Sequence, residues 1–136
     1  MSSDITPGTE IPPWHVAAVP AEKMKVMALI LSDPNPIHWD VEAVRRLGLG
    51  ESPINQGPTN QAYVINALLA WLGDPTRLRS LQVRFQANVY AGEAVTAGGR
   101  VEQVRQVDGE RLAYCRVWLR KGDGTEALAG TAVVRA

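Results

Sequence analysis

"GPTNQAYVINALLAWLGDP", residues 57–75, is the stretch that decides the fold. It reads as a helix. Pro58 suits a first helical position, where its missing N–H costs nothing, and Gly73 and Pro75 are stop signals. Between them Ala62, Tyr63, Val64, Ile65, Ala67, Leu68, Leu69, Ala70, Trp71 and Leu72 wrap nearly all the way round the helical wheel. A helix that is apolar on every side is buried, so the rest of the chain must supply what surrounds it.

Downstream the period changes to two. Leu81, Val83, Phe85, Ala87 and Val89 alternate with Gln82, Arg84, Gln86 and Asn88, which predicts a half-buried strand. Val95, Ala97, Gly99 and Val101 begin another strand. Asp108-Gly109 is a hairpin turn signal. Leu112 to Leu119 continues the sheet, and "KGDGT" from 121 turns it into Ala127 to Val134. Parts of these strands are apolar on both faces, so one face is expected to hold the helix and the other to meet a second subunit.

Upstream, Trp14 to Val19 predicts a short strand. Met24, Met27, Ala28 and Leu31 then fall on one face of a helix. Asp33 must end that helix, because a residue before proline is pushed out of helical geometry. Asp40 is placed to cap a short helix carrying Val41, Val44 and Leu47, closed by Gly48. Residues 1–12, polar and rich in proline and glycine, read as a flexible arm. The order is strand, helices, one buried helix and four strands. It defines an α+β class with an antiparallel sheet wrapped around a central helix, the hot-dog arrangement, in one domain over 1–136.

The 136-residue chain balances 14 Lys and Arg against 14 Asp and Glu, for a formal net charge of zero. A nucleic-acid or anionic-membrane partner calls for a basic surface that this balance does not supply. Low net charge favours self-association instead, and a homodimer or dimer of dimers is expected. The single cysteine, Cys115, excludes an internal disulfide and fits a reducing compartment. The first residues have neither the basic nor the apolar part of a signal peptide. The longest apolar runs, Val26 to Leu31 and Ala67 to Leu72, are six residues each, against about 20 for a membrane span. A cytoplasmic location is expected.

The chemistry concentrates in "LSDPNPIHWD", residues 31–40. Pro34 and Pro36 fix their own φ angles and hold Asp33 and Asn35 in extended conformations. A stiffened loop therefore carries a carboxylate, Asp33, and an imidazole, His38, five residues apart. Such a pair suits general acid–base work, and stiffness lowers the entropy lost in holding it ready. DPNP is equally good turn chemistry between helices, and composition does not choose between the two readings. Asp40 is explained as a helix cap. His15, in a strand beside Trp14, and Cys115, among strand residues, read as structural.

Other chemistries fit poorly. Asp33, Asn35, His38 and Asp40 imitate the start of a calcium loop, but Ile37 and His38 stand where an oxygen ligand and a glycine belong. No His or Cys cluster suits zinc. There is no nucleophile elbow and no phosphate loop, and "GLGESP" at 48–53 lacks the third glycine of a dinucleotide fingerprint. Neither a metal nor a redox cofactor is called for.

"SDPNPIHWD" followed by "PINQGPTNQAYV" resembles the MaoC-like family of R-specific enoyl-CoA hydratases and 3-hydroxyacyl thioester dehydratases. Asp33, Asn35, Pro36, His38 and Asp40 match that family's hydratase signature in register, and the likeness extends over most of the chain. The resemblance implies that Asp33 and His38 activate one water and move one proton, and that Asn35 supports the loop. It also implies that the Gly57 N–H, at the start of the central helix, binds the thioester carbonyl. The substrate implied is a coenzyme A or carrier-protein thioester. The chain departs from the signature at Ser32, where glycine is usual, at Gln56, where histidine is customary, and at Pro58, where methionine is. These changes bear on substrate preference; whether the Gln56 amide faces the site is open. Two other readings are a hot-dog thioesterase using Asp33 alone and a non-catalytic acyl-binding subunit. The retained Asp–His spacing disfavours both.

Overall fold

In the computed structural model, which describes residues 4–136, helix α3 (Gly57–Leu72) lies against one face of a five-stranded antiparallel sheet. The strands are β1 (Glu10–Val16), β2 (Leu78–Phe85), β3 (Val95–Val107), β4 (Glu110–Lys121) and β5 (Glu126–Arg135), in the order β1-β3-β4-β5-β2. This is the hot-dog arrangement read from the sequence. Ala113, Cys115, Val117 and Leu119 alternate inward along β4 and pack with Val64, Leu68 and Leu72 of α3. Asp108 and Gly109 take φ of 49° and 80°, the left-handed pair a tight β3–β4 hairpin requires. Burial among these strands drives the Cys115 thiol up to about 12, in keeping with a small core hydrophobe.

Within one chain, α3 is not buried all round. Asn60, Val64, Ala67, Leu68 and Leu72 face the core, while Ile65 and Leu69 are half-buried and Ala70 is exposed. On the outer face of the sheet two aromatic residues are roofed by this chain's own arginines: Arg120 stacks over Trp118 at 4.0 Å and Arg105 over Tyr114 at 5.3 Å.

The arm expected over residues 1–12 is corrected for 4–12; residues 1–3 lie outside the described residues. Ile5 and Ile11 are buried, Gly8 N–H donates to the Val101 carbonyl, and Arg111 donates to the Ile5 carbonyl. β1 begins at Glu10 and ends at Val16, earlier than the expected Trp14–Val19. Pro12 and Pro13 fall where its register against β3 shifts. An edge strand tolerates proline because one side of its backbone has no ladder to feed, so local composition misread the segment.

Two further boundaries moved. β2 stops at Phe85, and the N–H groups of Gln86 and Ala87 both turn onto the Ala127 carbonyl. The following segment leaves the sheet and packs against residues 53–55, with Val89 buried and its carbonyl accepting from Asn55. Helix α1 (Ala21–Ile30) buries only Met24 of its expected apolar face, and Leu31 is exposed. Helix α2 (Val41–Arg46) is capped by Asp40 as read: its carboxylate accepts from Glu42 N–H at 2.9 Å.

Candidate active site

The loop between α1 and α2 starts with a backbone reversal. Ser32 has φ 51°, a left-handed conformation that costs an L-residue roughly 1–2 kcal/mol and a glycine almost nothing. The reversal brings Asp33 back under the helix, where its N–H donates to the Ala28 carbonyl at 2.9 Å. The Asp33 carboxylate accepts from Asn35 N–H at 3.0 Å, and the Asn35 side chain accepts from Ile37 N–H at 3.3 Å. Asn35 thereby caps a single 3-10 turn, Pro36–His38, that swings the imidazole inward.

The two sequence-predicted residues meet. His38 Nε2 lies 3.0 Å from Asp33 Oδ2, with the carboxylate side chain 32% exposed and the imidazole 8%. The other ring nitrogen, Nδ1, is 2.6 Å from the Ile54 carbonyl oxygen. A carbonyl only accepts, so Nδ1 carries a proton. Both ring nitrogens therefore face oxygen atoms. The sequence placed His38 in a stiffened loop, outside any helix. It is instead a buried member of the 3-10 turn, tied to a backbone carbonyl sixteen residues away.

That carbonyl belongs to the segment leading into α3. Ile54 N–H returns a bond to the Ile37 carbonyl at 2.9 Å, so the loop and the helix entrance are tied twice. Gly57 opens α3. Thr59 and Asn60 N–H both donate to the Gln56 carbonyl at 3.1 Å, and Pro58 has no N–H. Among the described residues the Gly57 N–H has no acceptor, and it stands at the positive end of a 16-residue helix. A Cβ on Gly57 would sit 3.1 Å from the ring of Phe85, the half-exposed last residue of β2. Asn55 braces the same turn, donating from its amide to the Asn60 side chain at 2.7 Å.

An open groove of about 560 Å³ runs beside the pair. Asp33 forms part of its wall, with Ala28, Leu29, Pro34 and Trp39 making it mainly apolar. Sequence reasoning missed Leu29 and Trp39 as groove residues. Leu29 lies off the helix's expected buried face, and nothing local marks Trp39. His15 pairs with Thr96 across β1 and β3 at 2.9 Å, on the surface. Among the described residues no group of three or more His, Cys, Asp or Glu is placed to hold a metal.

A sheet wrapped on one helix, with a paired Asp and His at the helix entrance, places this chain in the hot-dog class. More specifically, it belongs to the MaoC-like domain family, whose model matches residues 6–117. The solved structures it resembles include the (R)-hydratase from A. caviae involved in PHA biosynthesis. That match has TM-score 0.83 and 22% identity, and covers 98% of this chain and 97% of the other. A protein described as a MaoC-like dehydratase matches with TM-score 0.86 and 26% identity over 97% of this chain, which spans 41% of the longer protein. The HadBC (3R-hydroxyacyl-ACP dehydratase) complex from Mycobacterium tuberculosis matches over the full length of both chains, with TM-score 0.77 and 17% identity. No curated protein matches the sequence. No helix among the described residues is long and apolar enough to cross a membrane.

Proposed function

We propose that the chain catalyses R-specific hydration of trans-2-enoyl thioesters, and the reverse dehydration of 3-hydroxyacyl thioesters. The observation that carries the reading is the 3.0 Å contact between Asp33 and His38, with Asp33 in the wall of an apolar groove. The Asp33 carboxylate takes a proton from water as the water oxygen bonds to C3. His38 shares that water and delivers a proton from Nε2 to C2. The direct Nε2–Oδ2 contact then lets the proton on Asp33 pass back to His38, which resets the pair. Negative charge that builds on the thioester oxygen is met by the Gly57 N–H. The acyl chain lies along the groove lined by Ala28, Leu29, Pro34 and Trp39. These steps call on no metal or redox cofactor. Coenzyme A is the thioester carrier proposed, with a carrier protein as the alternative.

The test is a panel of trans-2-enoyl-CoA substrates followed by loss of the conjugated double-bond absorbance. Turnover of at least one member is expected. Release of free thiol without loss of the double bond would instead identify a thioesterase, and no turnover of any member would refute the reading.

We also propose a homodimer, in the cytoplasm. Ile65, Leu69 and Ala70 leave one side of α3 incompletely covered, and β2 ends the sheet with an unpaired edge. A second copy covers both. Light scattering at micromolar concentration should give twice the chain mass; a monomer there would contradict it.

A further inference from the structure

Gln56 stands immediately before Gly57 and is fully buried. Its Nε2 donates to the Met24 carbonyl at 2.8 Å, while its Oε1 finds no partner among the described residues. A half-satisfied buried amide destabilises a core, and an apolar side chain of similar length would avoid the penalty. Nor does the Met24 carbonyl depend on it, since Met24 lies inside α1, where the helix supplies its own donor. Stability alone therefore does not account for glutamine here.

What the amide does is close a ring. Asp33 hangs by its N–H from Ala28 of α1. His38 hangs by Nδ1 from Ile54, two residues before Gln56. Asp33 and His38 touch each other. The Gln56–Met24 bond completes the circuit from the entrance of α3 back to α1.

We propose that Gln56 is a positioning residue for the hydration reaction. Its amide sets the distance between α1, which suspends Asp33, and the start of α3, which presents the Gly57 N–H. The acid–base pair and the carbonyl-binding donor then address the same substrate. A neutral amide does this without placing a charge in the core. The proposal rests on the hydratase reading above.

The test is Gln56→Met, which keeps the side-chain length and removes the amide. Its melting temperature should equal or exceed that of the native chain. Displacements well under an ångström matter to reacting groups, so kcat for enoyl thioester hydration should fall at least ~10-fold with KM held within about twofold. In proton NMR the His38 Nδ1–H signal, sheltered by Ile54 in the native chain, should broaden. A folded variant with native kcat, or one whose loss lies wholly in KM, would overturn the proposal. So would a variant that no longer folds, because Gln56 would then be a folding element. If the native chain hydrates no thioester at all, the functional reading fails separately, and an imidazole signal unchanged by the substitution would overturn the positioning role on its own.

Discussion

Asp33→Asn is expected to lower turnover by about 10²- to 10⁴-fold, the usual worth of a general acid–base group, with little change in melting temperature. Asparagine keeps the carbonyl oxygen that can accept from Asn35 N–H, so the turn retains its brace. What it loses is the base that takes the water's proton. His38→Gln should cost turnover on a similar scale, but the fold will register it too. The Ile54 carbonyl loses a buried donor, a loss worth roughly 1–3 kcal/mol, and unfolding by denaturant will show it. Because both residues act on one water, the double variant should lose far less than the product of the two single losses. Hydration in deuterated water should place the new hydroxyl and deuteron on the same face, giving the R-3-hydroxyacyl product. Anti addition, an S product, or a fully active Asp33→Asn chain would each exclude the mechanism.

Gly57→Val is the second large effect, expected at about 100-fold in kcat, near the low end of what losing one oxyanion donor costs. The added Cβ meets the Phe85 ring at 3.1 Å, tighter than ordinary contact, and the β-branched methyls crowd the approach to the free N–H. Phe85 is 52% exposed and can move aside, so the fold should survive. Steady-state kinetics beside a circular dichroism melt will separate the two effects. A folded Gly57→Val chain with native turnover would move the carbonyl site elsewhere.

Much of this architecture was legible in the sequence because it depends on periodicity and local stereochemistry. The run from Ala62 to Leu72 announced a central helix, the alternation through Leu81, Val83 and Phe85 a strand, and Asp108-Gly109 a hairpin. Pro34 and Pro36 marked a rigid loop, and the spacing of Asp33 and His38 suggested a pair before any distance was known. Where the sequence misled, long-range packing overrode local composition. Residues 4–12 look like an arm but dock Ile5 and Ile11 into the core, since proline is acceptable on an edge strand. Val89 keeps the alternating pattern yet leaves the sheet to pack beside Asn55. Tertiary structure alone decided that the imidazole is held from behind by Ile54, that Leu29 and Trp39 wall the groove, and that Gln56 bonds to Met24. Those relations join residues 16 and 32 positions apart, or side chains from separate elements. A one-dimensional pattern fixes which way a side chain points from its own backbone, and only the closed fold determines what it meets.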